Sequence, residues 1–273
     1  MAPQISRADI AGLIPAAALR AVPGCESGTP PLELRVLPGG LANHSLRIDT
    51  IAGSYELRLP RTPAAPPGVD RRRELAFQQA AAAAGIAPRV LAAGADTSWL
   101  LMEFVTGAEW QRSELAAPGA LQRLGGRLAE LQHVAPPEVP MLDVGVIVRG
   151  QVALILQREP DAVAELQILA AQAQQFAAEG AVTAGPLVIN HGDLNVANLL
   201  GPGPCLVDWE YAQLASPLYD IACLLTYYPE IEPRLDGLLG ALGLGGPDIR
   251  AALRAQCALF GVLDQLWRRA QLP

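Results

Sequence analysis

Residues 188–200 combine the side-chain types and the spacing that are best suited to chemistry in this sequence. They read VINHGDLNVANLL, which is an apolar run, a polar loop and a second apolar run. His191, Asp193 and Asn198 form the pattern H-x-D-x-x-x-x-N. Phosphoryl transfer needs a carboxylate near the acceptor hydroxyl and an amide oxygen that holds a metal ion beside the phosphates. A turn rich in Asp and Asn is common alone, but the full pattern between two strands favours a catalytic loop.

A second acidic segment begins fifteen residues beyond Asp193. The apolar run 205–207 ends in Asp208, and Glu210 lies two positions further on. An Asp directly after a strand at this point is well placed to chelate a Mg²⁺ ion that bridges nucleotide phosphates. Asn198 and Asp208 are therefore the predicted metal ligands. Glu210 either assists through a second metal ion or a water molecule, or is a surface carboxylate.

A third carboxylate, Asp220, precedes the apolar run IACLL. We expect Asp220 to be buried and to tie the catalytic loop to the helices by accepting backbone N–H bonds. This role is structural, although Asp220 also stays among the candidate substrate contacts.

The secondary-structure elements that position these residues change along the chain from mainly strands to mainly helices. The first third predicts strands at 32–37, 44–50, 54–59, 89–93 and 99–104. Between them, Asp70 is typical of an N-cap for a helix that runs to about Ala84 and stops at Gly85. After Thr106, helical periodicity dominates, at 121–131, 144–157, 160–179, 215–227, 232–243 and 247–270, with short strands at 187–190, 198–200 and 205–207.

This pattern predicts an α+β fold with two lobes. Residues 1–105 form a small β-sheet lobe with one main helix, and residues 106–273 form a larger, mostly helical lobe.

The two polar segments resemble those of the choline kinase and aminoglycoside phosphotransferase superfamily, which shares the protein-kinase-like fold. HGDLNVANLL is similar to its catalytic loop and LVDWEYA to its metal-binding segment. The form D-W-E-Y-A is nearer to bacterial choline kinases and thiamine kinases than to the antibiotic-resistance enzymes. The resemblance implies that Asp193 is the catalytic base and that His191 supports the loop. It also implies ATP and Mg²⁺ as cofactors.

The first lobe carries the same resemblance. Residues 38–45, PGGLANHS, are similar to the G-G-L-x-N phosphate loop, which points to Gly39, Gly40 and Asn43. Two glycines at a hairpin let backbone amides approach phosphate oxygens closely. Arg58 occupies the position of the phosphate-binding Lys or Arg, and Glu74 on the following helix is expected to pair with it.

The run LMEFV, residues 101–105, resembles the hinge that holds adenine through backbone groups. The resemblance assigns this contact to Glu103 and Val105, with ATP bound between the two lobes.

Aromatic residues cluster after the catalytic loop although they are scarce overall, at 5% of the chain. Aromatic rings and carboxylates attract cationic groups, and the C-terminal run LFGVLDQLWRRAQ resembles the helix that lines a choline pocket. The candidate substrate contacts are Glu210, Tyr211, Asp220 and Trp267. We expect Tyr219, Tyr227 and Phe260 to belong to the core because of their helical spacing.

Composition limits the partners. The net charge of −7 and pI of about 5.0 argue against nucleic acid, which needs a basic surface. No apolar run is long enough to span a membrane, and the N-terminus lacks the pattern of a signal peptide, so we expect a cytoplasmic protein.

The four cysteines lack metal spacing and are expected to be buried free thiols. All 20 basic residues are Arg, so any protein cation that touches phosphate is a guanidinium.

The expected function is transfer of the ATP γ-phosphate to a hydroxyl of a small cationic molecule such as choline, ethanolamine or thiamine, by a monomer or homodimer. Two alternatives stay open. One is an aminoglycoside or amino-sugar phosphotransferase, and the other is a non-catalytic pseudokinase that binds nucleotide. The intact Asp193, Asn198 and Asp208 argue against the pseudokinase.

Overall fold

The computed structural model describes Gly12 and residues 14–38, 42–62, 65–183 and 186–271. The chain divides into two compact units. The first unit comprises Met1–Pro66 and Pro88–Thr106, and the second comprises Pro67–Ala87 and Gly107–Pro273.

The first unit contains a five-stranded antiparallel sheet with the strand order β1-β2-β3-β5-β4. The five strands and the short helix of this unit are β1 Glu33–Val36, β2 Asn43–Thr50, β3 Gly53–Pro60, β4 Val90–Ala93, β5 Leu100–Glu103 and α1 Ala16–Ala21. Because side chains alternate along a strand, Leu46 and Ile48 of β2 and Leu57 of β3 lie on one buried face. They pack in one cluster with Ala18 of α1.

The helix predicted from Asp70 is α2, Arg71–Ala83. The side chain of Asp70 accepts hydrogen bonds from the backbone N–H groups of Arg72 and Arg73, at 2.9 and 3.2 Å, as an N-cap does. The predicted helix is therefore confirmed within one residue at each end. The helix α2, predicted as part of the small lobe, falls within the second unit, where Phe77 packs into the core.

The second unit is mainly helical. Its longer elements are α3 Ala120–Gln132, α4 Val144–Leu156, α5 Val163–Thr183, α6 Tyr219–Tyr227, α7 Leu235–Ala241 and α8 Pro247–Gln271. Leu121, Leu124, Leu128 and Leu131 of α3, which carried the predicted periodicity, are all buried in one large core.

Two small antiparallel ribbons frame the polar segments of the second unit. β6, Val188–Asn190, pairs with β9, Gln213–Ala215, and β7, Leu199–Leu200, pairs with β8, Cys205–Leu206. Strand β9 was not predicted, and its last residue, Ala215, falls at the start of the helix predicted over 215–227. That helix begins at Tyr219, after Pro217, which disfavours helical geometry in the residue before it.

The four cysteines are free thiols, as expected. Cys25 and Cys223 are buried, and Cys205 and Cys257 are half-buried. Among the described residues, no helix is both long and apolar enough to cross a bilayer.

The cap of α2 gives a test of the fold. Replacing Asp70 by Ala removes the acceptor for two N–H groups, and because Asp70 is exposed, little packing is lost. We expect Asp70→Ala to lower the free energy of unfolding by about 1 kcal/mol. Asp70→Asn, which keeps a capping oxygen, is the matched control and should lie within a few tenths of a kcal/mol of wild type by urea denaturation. Equal stability of Asp70→Ala and wild type would show that the cap contributes nothing.

Candidate active site

The loop between β6 and β7 is anchored by a buried carboxylate beneath it. Asp220, at the start of α6, is 2% exposed. Its two carboxylate oxygens accept hydrogen bonds from the backbone N–H groups of His191 and Gly192, each at 2.9 Å. The predicted structural role of Asp220 is thus confirmed. Burial raises the pKa of Asp220, while the two N–H groups and His191 favour its ionised form and lower the pKa.

Gly192 is required by this geometry. Its φ of +83° lies in the left-handed region, and a Cβ at this position would collide with the backbone carbonyl oxygen of Tyr211. The glycine therefore lets the loop pass close to the segment before β9.

His191 is fully buried and supports the loop. Its Nε2 lies 2.8 Å from the carbonyl oxygen of Val207, so Nε2 carries the proton and donates. Its Nδ1 accepts, at 3.4 Å, from the N–H of Asp193. Burial lowers the pKa of His191, and both nitrogens are engaged by backbone groups. A neutral, enclosed imidazole with no free nitrogen is unsuited to act as the base, so His191 is a positioning residue.

The carboxylate of Asp193 is held by two side chains. Its Oδ1 accepts from the Tyr227 hydroxyl at 3.1 Å, and its Oδ2 accepts from Asn198 Nδ2 at 3.0 Å. Burial, together with the neighbouring charges of Asp208 and Asp264, raises the pKa of Asp193 to about 6, against the lowering effect of the two hydrogen bonds. Such a carboxylate is mostly ionised at neutral pH and is more basic than an exposed one.

A second anchor comes from Tyr228. Its hydroxyl accepts from the N–H of Val196 at 2.9 Å and donates to Asn195 Oδ1 at 3.1 Å. Asn195 in turn caps the 3₁₀ turn Val196–Asn198 through the N–H of Ala197. These contacts fix the turn from which Asn198 reaches Asp193.

The predicted metal ligands supply oxygen donors near the loop. Asp208 follows β8 with a φ of +64°, an uncommon conformation for a residue with a side chain. Its charge raises the pKa of Asp193. The N–H of Val207, next to Asp208, donates to the backbone carbonyl of Asn198 at 3.0 Å. Within the described residues no cluster of three or more His, Cys, Asp or Glu side chains forms a metal cage. An amide and a carboxylate fit Mg²⁺, which commonly takes one or two protein ligands together with phosphates and water.

Glu210 is engaged in a buried ion pair. Arg71 Nη1 donates to Glu210 Oε2 at 3.2 Å and to Glu74 Oε2 at 2.9 Å, so it ties α2 to the segment after β8. All three side chains are largely buried. The ion pair disfavours the predicted role of Glu210 as a metal ligand, because its carboxylate already faces a guanidinium.

Asp193 opens onto a pocket within the second unit that has a volume of about 90 Å³. On this scale one water molecule takes up roughly 10 to 15 Å³, so the pocket holds a molecule of several heavy atoms. The lining side chains come from the loop, from β9 and the segment before it, and from α4, α6 and α8. They include Ile147, Gln151, Asp193, Tyr211, Gln213, Tyr219, Tyr227, Phe260, Leu263, Asp264 and Trp267.

Two of the four predicted substrate contacts line this pocket. Tyr211 and Trp267 meet there, with the indole N–H of Trp267 donating to the Tyr211 hydroxyl at 2.6 Å. Glu210 and Asp220 are not among the lining residues, because Glu210 pairs with Arg71 and Asp220 lies beneath the loop. Their assignment as substrate contacts stays a prediction that this pocket does not support.

Three residues that line the pocket or brace the site escaped the sequence analysis. Tyr227, expected in the core, hydrogen-bonds Asp193 and lines the pocket. Gln151 lines the pocket from α4, and Arg71 pairs with Glu210, 139 positions away. For Gln151 a signal existed, since it is the lone polar residue in the apolar stripe of its helix. For Arg71 none did, as it is one of three consecutive arginines.

The candidate nucleotide contacts of the first unit lie in its sheet. Asn43 begins β2, and Arg58 in β3 is buried opposite Ser45 of β2 and Leu100 of β5. Gly39 and Gly40 lie outside the described residues.

Strand β5 ends at Glu103, and Val105 lies two residues further along the chain. The N–H of Glu103 donates to the carbonyl of Arg89 at 3.0 Å, and its carboxylate pairs with the Arg89 guanidinium at 2.6 Å. The expected pairing of Glu74 with Arg58 stays a prediction.

Comparisons with known proteins identify the family and the fold of this chain. A family model described as Phosphotransferase enzyme family matches residues 33–255. A choline/ethanolamine kinase family protein from Mesorhizobium loti is similar in structure, with a TM-score of 0.69 and 23% identity over 92% of this chain and 83% of that chain.

A choline kinase from Streptococcus pneumoniae is also similar, with a TM-score of 0.69 and 15% identity over 90% of this chain and 87% of that chain. A thermostable mutant of an aminoglycoside phosphotransferase has a TM-score of 0.63 and 20% identity, over 90% of each chain. No curated protein sequence matches the chain.

The hydrogen bond from Tyr227 gives a test of the Asp193 environment. We expect a ¹³C NMR titration of the Asp193 carboxyl carbon to have a midpoint near pH 6. Tyr227→Phe removes a donor that stabilises the ionised carboxylate, so the midpoint should move to higher pH. The resonance is assigned by its loss in Asp193→Asn. A midpoint near 4 in wild type, or no shift in Tyr227→Phe, would contradict this description of the site.

Proposed function

We propose that this chain, which belongs to the phosphotransferase enzyme family, transfers the γ-phosphate of ATP to a hydroxyl group of a small cationic molecule such as choline, ethanolamine or thiamine. The observation that carries the proposal is the Asp193 carboxylate, fixed by Tyr227 and Asn198 at the wall of a small pocket. A fixed carboxylate with a pKa of about 6 is suited to orient the acceptor hydroxyl and take its proton at neutral pH.

We assign the base to Asp193 because of the hydrogen bonds that the neighbouring His191 and Asp220 side chains already make. His191 is enclosed and both of its nitrogens are occupied, and Asp220 uses both oxygens on backbone N–H groups. Asp193 keeps its carboxylate at the pocket wall, so it is the acidic group of the loop that a bound hydroxyl reaches.

Magnesium is part of the proposal. Asn198 and Asp208 would hold it, because both offer oxygen ligands beside the loop. When bound with nucleotide, the ion supplies positive charge that neutralises the phosphate oxygens. The buried Arg71–Glu210 pair supports the segment that carries Asp208, two residues before Glu210.

The nucleotide contacts are also proposed. Arg58 and Asn43 would contact the phosphates, and adenine would bind along the backbone after β5. The N–H of Glu103 already bonds Arg89, so the N–H of Val105 is the donor we assign to adenine.

The chemistry of the pocket supports a small cationic acceptor. Aromatic rings of Tyr211, Tyr227 and Trp267 attract cations, as do the carboxylates of Asp193 and Asp264. The volume of about 90 Å³ has room for a small amino alcohol. Aminoglycosides and amino sugars form the alternative acceptor class, and both classes belong in one panel of acceptors.

The role of Asp193 is tested by Asp193→Asn. Without a basic carboxylate, turnover on the best acceptor of the panel should fall by about 10²- to 10⁴-fold. Affinity for ATP, measured by calorimetry with Mg²⁺, should stay within a few-fold of wild type because Asn keeps the side-chain size and an oxygen to which Asn198 can donate.

Asp161→Asn, the same exchange at an exposed site in a 3₁₀ turn, is the control and should keep the wild-type rate. Wild-type turnover in Asp193→Asn would exclude Asp193 as the base. Tight ATP binding without transfer to any acceptor would favour the pseudokinase.

A further inference from the structure

A buried polar residue interrupts an otherwise apolar face of α4. The buried residues of this helix are Ile147, Val148, Gln151 and Ile155, which lie along one stripe. Gln151 is 3% exposed, one turn after Ile147, and both residues line the pocket that contains Asp193. An amide in this position places hydrogen-bonding capacity where packing alone would select a hydrocarbon side chain.

The side-chain oxygen of Gln151 is buried and has no hydrogen-bond partner among the described residues. An unpaired buried amide oxygen is unfavourable and rare in folded proteins. Gln151 lines the pocket, and the terminal torsion of Gln is broad, so rotation about this torsion can turn the oxygen towards a molecule in the pocket. A ligand that donates a hydrogen bond would satisfy it.

The charges around Gln151 indicate which kind of hydrogen-bond donor on a ligand suits the pocket. The pocket-lining residues include the carboxylates of Asp193 and Asp264 and include no Arg or His. Asp264 pairs with Arg268 at 2.7 Å. The Arg268 side chain is more than half exposed, so solvent and salt screen its positive charge and it neutralises the Asp264 carboxylate only in part. A cationic N–H donor suits both the carboxylates and the unpaired amide oxygen, whereas a neutral donor suits only the oxygen.

We infer that Gln151 determines acceptor specificity: its side-chain oxygen accepts a hydrogen bond from an N–H of a protonated amine on the acceptor molecule. This inference rests on the proposed function and narrows it to amino alcohols that carry at least one N–H. A quaternary ammonium such as choline offers no N–H, and its single hydroxyl is the group that reacts. Choline would therefore leave the Gln151 oxygen unpaired.

The test uses a series of acceptors that differ only in methylation of the nitrogen: ethanolamine, N-methylethanolamine, N,N-dimethylethanolamine and choline. For the wild-type chain with Mg²⁺ and ATP, we expect kcat/KM to be about 10- to 100-fold higher for ethanolamine than for choline. The first three acceptors keep an N–H when protonated, so the largest step should lie between N,N-dimethylethanolamine and choline.

Gln151→Met removes the acceptor oxygen at similar side-chain volume and should bring the ethanolamine-to-choline ratio to within about 3-fold, chiefly by loss of ethanolamine activity. Gln151→Glu keeps an oxygen and should retain the preference. The matched control is Gln256→Met, which alters a buried amide of α8 outside the pocket and should leave the ratio unchanged. The ratio compares two acceptors on one preparation, so it does not depend on the yield of folded protein.

Three results would overturn the inference. The first is a wild-type preference for choline. The second is an equal loss for all four acceptors in Gln151→Met, which indicates a packing role. The third is no transfer to any of the four while another acceptor of the panel is phosphorylated, which leaves the proposed phosphotransferase function intact. If no acceptor of the panel is phosphorylated, the result contradicts the proposed phosphotransferase function itself.

Discussion

The buried carboxylate of Asp220 is the constraint on which the site depends. It holds the backbone N–H groups of His191 and Gly192, and so fixes the two residues before Asp193. Charge-assisted bonds to backbone groups inside a protein are strong and geometrically demanding. The rest of the loop builds on this anchor: His191 closes against Val207, and Gly192 passes the backbone of Tyr211 at a distance that excludes a side chain.

The anchor allows Asp193 to remain in an unfavourable environment. Its pKa of about 6 shows that burial and neighbouring carboxylates destabilise its charge, although Tyr227 and Asn198 offset part of the effect. Functional sites commonly carry such costs and are supported by the surrounding fold. Gln151 fits the same description, since it lines the same pocket and its buried oxygen has no partner among the described residues.

Features encoded locally could be predicted from the sequence. The cap at Asp70 and the strands of the small sheet follow from patterns that a short window contains. Strand β9 could not be predicted from the sequence, because its three residues form a strand only through pairing with β6. Tyr227 illustrates the same limit, since helical spacing predicts a buried face but does not reveal that a hydroxyl on that face meets Asp193. Contacts between residues far apart in the chain depend on packing that no local pattern specifies.

The most direct test of the anchor is the Asp220→Asn variant, studied by amide hydrogen exchange and by steady-state kinetics. Asn has one acceptor oxygen where Asp220 uses two, so one loop N–H loses its partner. We expect faster exchange at His191 or Gly192, unchanged exchange in β2 and β3, and a kcat at least about 10-fold lower on the best acceptor, with KM for ATP little altered. Wild-type exchange at both amides together with wild-type kcat would contradict the claim that this carboxylate sets the catalytic loop.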